Sequence, residues 1–145
     1  MWELLASLPE LERNTCYAYV VLFADFANSC AIAEDAAGNV VGFVVGYVPP
    51  RRSEEVFVWQ VGVATSARGT GLGGRLLDHV VKSTSARFLT ATVSPDNAAS
   101  RRLFQGFARR REVGCAIGPG YPAELFAGPH QPEELFTIGP LPQKE

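Results

Sequence analysis

Arg68-Gly69-Thr70-Gly71-Leu72-Gly73-Gly74 stands between a β-branched and aromatic run, Val56 to Val63 (VFVWQVGV), and a helical stripe of Leu72, Leu76, Leu77, Val80 and Val81. The residue types before it predict a strand, and the spacing after it predicts an amphipathic helix. Glycine lets the backbone approach a ligand closely and leaves N–H groups pointing outward. The helix that follows adds the positive end of its dipole, so the turn is suited to cradling a phosphate, with Arg68 available for a charge-assisted contact. Four glycines within residues 69–74 favour a ligand over an empty turn.

Gly69, Gly71 and Gly74 also satisfy G-x-G-x-x-G, the dinucleotide fingerprint, but the context fails. In that motif the glycines follow the strand almost at once, whereas here Ala64 to Arg68 intervene. Asp96 lies near the distance of the ribose-binding acid, yet it follows Ser94-Pro95, where it serves a helix start. No G-x-x-x-x-G-K-[ST] occurs, so a nucleotide triphosphatase is not supported.

On the N-terminal side, Trp2 to Leu8 predicts a short helix stopped near Pro9, and Asn14 or Thr15 can cap a second helix with Tyr17, Val20, Val21 and Ala24 as its apolar stripe. Cys30 to Ala33 and Val40 to Val48 read as strands around a turn at Ala37-Gly38-Asn39. On the C-terminal side, Arg87 to Val93 reads as a strand. Ser94-Pro95-Asp96 reads as a helix start, with Leu103, Phe104, Phe107 and Ala108 as the helix's stripe. Weak strands near Glu112–Ile117 and Leu135–Ile138 complete an α/β (α+β) layer structure with a mixed sheet, in one domain over residues 1–145.

At 47% hydrophobic and 19% charged residues, the 145-residue chain can bury a core. No apolar run reaches the ~20 residues of a membrane span, and Met-Trp-Glu-Leu-Leu does not begin a signal peptide. Cys16, Cys30 and Cys115 are odd in number and widely spaced, which disfavours disulfides and zinc and points to a cytoplasmic protein with no metal. The net charge of −2 divides into −5 over residues 1–67, +7 over 68–111 and −4 over 112–145, a pattern suited to a central anion. Arg101, Arg102, Arg109, Arg110 and Arg111 flank a helical stripe without the interleaved aromatics of a single-strand binder, so nucleic acid is not the expected partner.

Arg68-Gly69-Thr70-Gly71-Leu72-Gly73 further matches R-x-x-G-x-G and resembles the pyrophosphate loop of GNAT acetyltransferases. The strand before it and Val93-Ser94-Pro95-Asp96-Asn97-Ala98-Ala99-Ser100 resemble that superfamily's fourth strand and its fifth strand with the helix that follows. Leu11 to Tyr19, Phe57 to Val61, Ala91 to Val93 and His130-Gln131-Pro132-Glu133 are similar, more narrowly, to the L-2,4-diaminobutyrate acetyltransferases of ectoine biosynthesis. The resemblance implies a mostly antiparallel central sheet flanked by helices, splayed between the fourth and fifth strands of the family pattern, and here apparently lacking the family's first strand. It implies a cytoplasmic homodimer that moves an acetyl group from acetyl-CoA to the gamma-amino group of diaminobutyrate.

The coenzyme would be held by the Val61 and Val63 backbone, by Arg68, Gly69, Thr70, Gly71, Leu72, Gly73 and Gly74, and by Asn97, Ser100 and Phe104. An alkylamine with a pKa near ~10.4 must lose a proton before it can attack, and carboxylates can attract the cation and receive that proton. Glu12 and Glu133 are the candidates for this catalytic role, with Tyr17, Trp59 and His130 binding substrate. Taken alone, Glu12 and Glu133 read better as solvated charges, Trp59 at least as well as a core aromatic, and Asn97 equally as a helix cap. Strand alternation places Trp59 and Gln60 on opposite faces. Glu12 stands where the family has Asp, Gln131-Pro132 replaces a more acidic stretch, and Phe104 occupies the position at which many GNATs place a proton-donating Tyr. Another small diamine or amino acid as acceptor, or an acyl-CoA-binding module without catalysis, are the alternatives.

Overall fold

In the computed structural model, which describes residues 1–142, the strand before the glycine turn runs Glu55–Val63 and the helix after it Leu72–Thr84. In chain order the elements are α1 (Trp2–Ala6), α2 (Cys16–Asp25), β1 (Ala31–Glu34), β2 (Val40–Tyr47), β3 (Glu55–Val63), α3 (Leu72–Thr84), β4 (Phe88–Val93), α4 (Ala98–Arg111), β5 (Gly114–Pro119) and β6 (Glu134–Gly139). One sheet takes the order β1-β2-β3-β4-β6-β5, with β3 and β4 parallel and every other pair antiparallel. This is the mixed, mostly antiparallel architecture expected from the sequence.

Local chemistry accounts for the element ends. Asp35 Oδ1 accepts from the backbone N–H groups of Ala37 and Asn39, both at 2.9 Å, and Gly38 takes φ +83, closing the β1–β2 turn. Thr15 caps α2, its hydroxyl accepting from Ala18 N at 3.3 Å. The α4 helix starts later than expected. Asn97 is its cap, accepting from Ser100 N at 3.1 Å, while Ser94 spends its hydroxyl on Asp96 (2.8 Å) in a preceding turn.

The two faces of the sheet carry separate cores. Leu72, Leu76, Leu77 and Val80 of α3 and Phe104, Phe107 and Ala108 of α4 bury against Val44, Val56, Val58, Leu89 and Phe136. Leu4, Leu5, Leu8 and Tyr19 cover Phe43 and Val45 on the other face. The stripe expected for α2 is not the buried one. Tyr17 and Val20 are exposed, Ala24 also faces outward, and Tyr19, Leu22 and Phe23 pack inward. Tyr19, Leu22 and Phe23 have the same i, i+3, i+4 spacing, so periodicity alone could not choose between the two faces of an all-apolar helix.

Two irregularities of β3 shape the site. It pairs with β4 only from Glu55↔Phe88 to Val58↔Ala91, after which its later residues stay on β2 while Thr92 and Val93 pair with β6. The parallel strands therefore part, as the resemblance implies. The β2–β3 register also slips: Val45 faces Gln60 and Gly46 faces Val58, leaving Trp59 as an extra, bulged residue.

Acidic flanks fold back onto the basic middle of the chain. Arg68 pairs with Glu10, Arg87 with Glu54 (3.0 Å) and Arg101 with Glu134. Much of the charge asymmetry is thus neutralised internally.

Candidate active site

The parting of β3 and β4 opens two joined cavities. One, of about 520 Å³, runs along the glycine turn and α4, lined by Arg68, Gly69, Gly71, Leu72, Gly73, Gly74, Arg102 and Arg110. The other, of about 730 Å³, is lined by Glu12, Trp59, Gln60, Phe104, His130 and Glu133, among others. Glu10, Leu11, Val61, Asn97 and Ser100 line both and mark the junction.

In the smaller cavity the turn has the geometry its sequence suggests. Gly69 (φ +76) and Gly71 (φ +77) are left-handed, and a Cβ on either would meet no protein atom within 4 Å. Their freedom therefore serves backbone shape and open space for a ligand. Gly73 and Gly74 answer to packing as well. A Cβ on Gly73 would lie 2.9 Å from Leu103 Cδ1, and one on Gly74 would collide with the Arg110 guanidinium. Thr70 differs from expectation, since its hydroxyl donates to Ala67 O (2.6 Å) and it does not line the cavity.

Along β3, Ala64 N donates to Val41 O of the β2 side at 2.8 Å. Strand N–H groups alternate in direction, so those of Val63 and Val61 face the gap. Unpaired donors there suit a thioester carbonyl and the charge it gains on attack. Asn97 combines the two roles left open for it, capping α4 while lining both cavities. Phe104, 3% exposed, packs against Phe136 with ring centroids 6.1 Å apart.

In the larger cavity the bulge overturns the expected separation of Trp59 and Gln60. Val56 and Val58 face the α3–α4 core before it, and Val61 and Val63 face that core after it. Parity is thus reversed, leaving Trp59 and Gln60 together on the α1–α2 face, where both line the cavity. Trp59 is not a core aromatic but 36% exposed, stacked on Tyr19 at 5.9 Å and 17°.

Tyr19 and Gln60 carry a role that sequence reasoning missed. The buried Tyr19 hydroxyl donates to Gln60 Oε1 (2.7 Å), and Gln60 Nε2 donates to the Glu12 carbonyl (2.5 Å). Asn14 N adds a long contact to the same hydroxyl (3.4 Å). The loop bearing Glu12 is thereby tied to β3. The available signal was a polar Gln inside an apolar strand with a polar-tipped Tyr on the neighbouring helix.

Glu133 stands across from Tyr121, donating its N–H to Tyr121 O (2.8 Å) and accepting from Gly120 N (3.0 Å). His130 stacks on Phe126 at 3.8 Å, and its Nδ1 lies 2.5 Å from Gln131 O. A donating Nδ1 leaves Nε2 as the ring's acceptor. Tyr17 is not brought into the cavity; it projects from α2 and is 76% exposed. Arg52 turns to Glu55 (2.8 Å).

A strand-gap fold with a glycine turn at a helix start and a carboxylate-bearing cleft defines an acyl-CoA-dependent transferase class. The acetyltransferase (GNAT) family matches residues 1–107. L-2,4-diaminobutyric acid acetyltransferase of Shouchella clausii is 37% identical over 97% of this chain and 80% of its own length, and that of Marinococcus halophilus is 39% identical over 97% and 83%. The solved diaminobutyrate acetyltransferase EctA from Paenibacillus lautus, in complex with its substrate L-2,4-diaminobutyric acid and coenzyme A, is 40% identical. It superposes with a TM-score of 0.89, covering 99% of this chain and 89% of that one. The chain belongs to the GNAT acetyltransferases and, within them, to the family of L-2,4-diaminobutyric acid acetyltransferases.

Proposed function

We propose that this protein transfers the acetyl group of acetyl-CoA to the gamma-amino nitrogen of L-2,4-diaminobutyrate by direct attack, giving the precursor of ectoine. The observation that carries the reading is the junction of the two cavities. A phosphate-shaped glycine turn serves one, carboxylates line the other, and the unpaired β3 N–H groups lie between them. The likeness to the P. lautus enzyme supports the choice of substrate.

Bound in the smaller cavity, acetyl-CoA supplies an activated acyl group. The turn and α3 N-terminus would hold its pyrophosphate, the Val61 and Val63 N–H groups its carbonyl oxygen, and Asn97 and Ser100 its pantetheine arm. Glu12 and Glu133 attract the ammonium-bearing substrate and, directly or through water, take the proton that leaves the attacking amine. Phe104 cannot protonate the departing thiolate. None is required, because a thiolate with a reference pKa near ~8.5 is a far better leaving group than an amine near ~10.4.

The compartment we propose is the cytosol, where three free thiols persist and acetyl-CoA is at hand. The assembly we propose is a homodimer, supported by the exposed apolar pair Tyr17 and Val20, one turn apart on α2.

Acetyl-CoA consumption over a panel of diamines and amino acids tests the activity. L-2,4-diaminobutyrate is expected to be the best substrate, and Glu12→Gln and Glu133→Gln each to impair its use more than that of acetyl-CoA. Turnover of another acceptor but not of diaminobutyrate would overturn the substrate, and unchanged activity of both variants across pH would remove the carboxylates from the site.

A further inference from the structure

The larger cavity has a charge imbalance that its substrate does not share. Its lining carries Glu10, Glu12 and Glu133 and no Arg or Lys. Given the proposed function, the substrate has two amino groups and also a carboxylate, which must be held against that field by neutral donors. Hydroxyls are such donors.

Position narrows the choice. The loop of Glu10 and Leu11 lines both cavities, so the reacting gamma-amine belongs at that end, near the coenzyme. The alpha-carbon, which carries a cation and an anion side by side, then lies away from the junction. Tyr121 lines the wall of the larger cavity and not that of the smaller, its backbone carbonyl accepting from Glu133 N at 2.8 Å. Tyr47 ends β2 at the same wall. It lies opposite Phe57 in register, with ring centroids 5.3 Å apart, and both line the cavity.

We propose that Tyr47 and Tyr121 are specificity-determining residues whose hydroxyls bind the substrate's alpha-carboxylate. Burial and the neighbouring Tyr121 push the Tyr47 phenol above its ordinary value, with Arg52 opposing. Arg52 tunes the pair without joining it, because its guanidinium bonds Glu55 and does not line the cavity. Gly120 permits the arrangement: a Cβ there would stand 2.5 Å from the Glu133 carbonyl oxygen and 2.9 Å from Leu135 N.

The test compares L-2,4-diaminobutyrate with 1,3-diaminopropane, which keeps both amines and lacks the carboxylate, on wild type, Tyr47→Phe, Tyr121→Phe and the double variant. Wild type is expected to prefer diaminobutyrate. Each Phe variant should raise KM for diaminobutyrate about 10- to 100-fold, the range of a hydrogen bond to a charged group, and leave kcat/KM for 1,3-diaminopropane within about twofold. Circular dichroism and the acetyl-CoA KM confirm that each variant is folded. Equal wild-type use of the two amines, equal losses on both in the variants, or an unchanged diaminobutyrate KM overturns the assignment while leaving the acetyltransferase reading standing. No wild-type turnover of either amine overturns both.

Discussion

Tyr19→Phe removes one oxygen from the tie between β3 and the Glu12 loop and keeps the ring that stacks on Trp59. The phenol is 2% exposed and donates at 2.7 Å to Gln60 Oε1, which then loses that donor in a partly buried setting. Removing one partner of such a bond costs about 1–2 kcal/mol, partial access of water to Gln60 keeping it below the upper limit. If the freed loop must be reordered each time substrate binds, that cost falls on diaminobutyrate, and KM rises about 5- to 30-fold.

Steady-state kinetics with each substrate varied, alongside a thermal melt, divides the cost. The coenzyme cavity does not use Tyr19, so KM for acetyl-CoA is expected to stay within about twofold, with a Tm loss of roughly 2–8 °C. Gln60→Leu, which removes both bonds, should show the same selectivity and a larger effect. Refutation is specific: a normal diaminobutyrate KM combined with a lowered Tm would make the pair a structural contact only. A parallel rise in both KM values would mean that the whole site had been disturbed.

Gly71→Ala forces a side chain into φ +77 and should cost roughly 1–2 kcal/mol of turn stability; calorimetric titration is expected to show weakened coenzyme A binding, and unchanged affinity would remove the turn from the site. Gly46→Ala sets a Cβ against the Phe57 carbonyl oxygen at the bulge, so a loss of about 1–3 kcal/mol in denaturant unfolding is expected, together with a raised diaminobutyrate KM. Phe104→Tyr should give no large gain in turnover and Phe104→Leu a modest loss of about 1 kcal/mol through packing; a large gain in the Tyr variant would show that thiolate protonation limits the rate.

The order of elements was legible because strong local signals agree with the tertiary outcome. VFVWQVGV has no helical competitor, and the glycine turn with its leucine stripe has no strand competitor. What escaped was set by long-range register. The α2 sequence, CYAYVVLFAD, is apolar all round, so the choice of Tyr19 over Tyr17 as the inward ring rests on contacts with β2 and β3 far along the chain. The same choice turned Tyr17 away from the cavity and set Tyr19 behind its wall, where it holds the cavity-lining Gln60 and Trp59. Thr70 looked like part of a phosphate cradle by position, but Ala67 offers its hydroxyl an acceptor three residues away. The alternation rule failed at Trp59 because a bulge is a property of two strands. Its only trace in the sequence is Gly46 on the partner, whose missing side chain lets the Phe57 carbonyl approach.

That bulge accounts for more than the direction of one side chain. An extra residue increases local right-handed twist and bends the strand that carries it. In β3 it falls at Trp59, the residue after Val58, where pairing with β4 ends. A strand bent at that point leaves its parallel neighbour, so the N–H groups of Val61 and Val63 lose a possible β-partner and face the gap. The same insertion turns Gln60 from the α3–α4 core to the face where it meets Tyr19 and fixes the Glu12 loop. Donors for a developing oxyanion and an anchor for an amine-binding carboxylate thus come from one backbone irregularity, a few residues apart on one strand. Shifting the bulge by a single residue would exchange the faces again and separate the two. Its position is therefore what brings the coenzyme cavity and the amine cavity to a common junction.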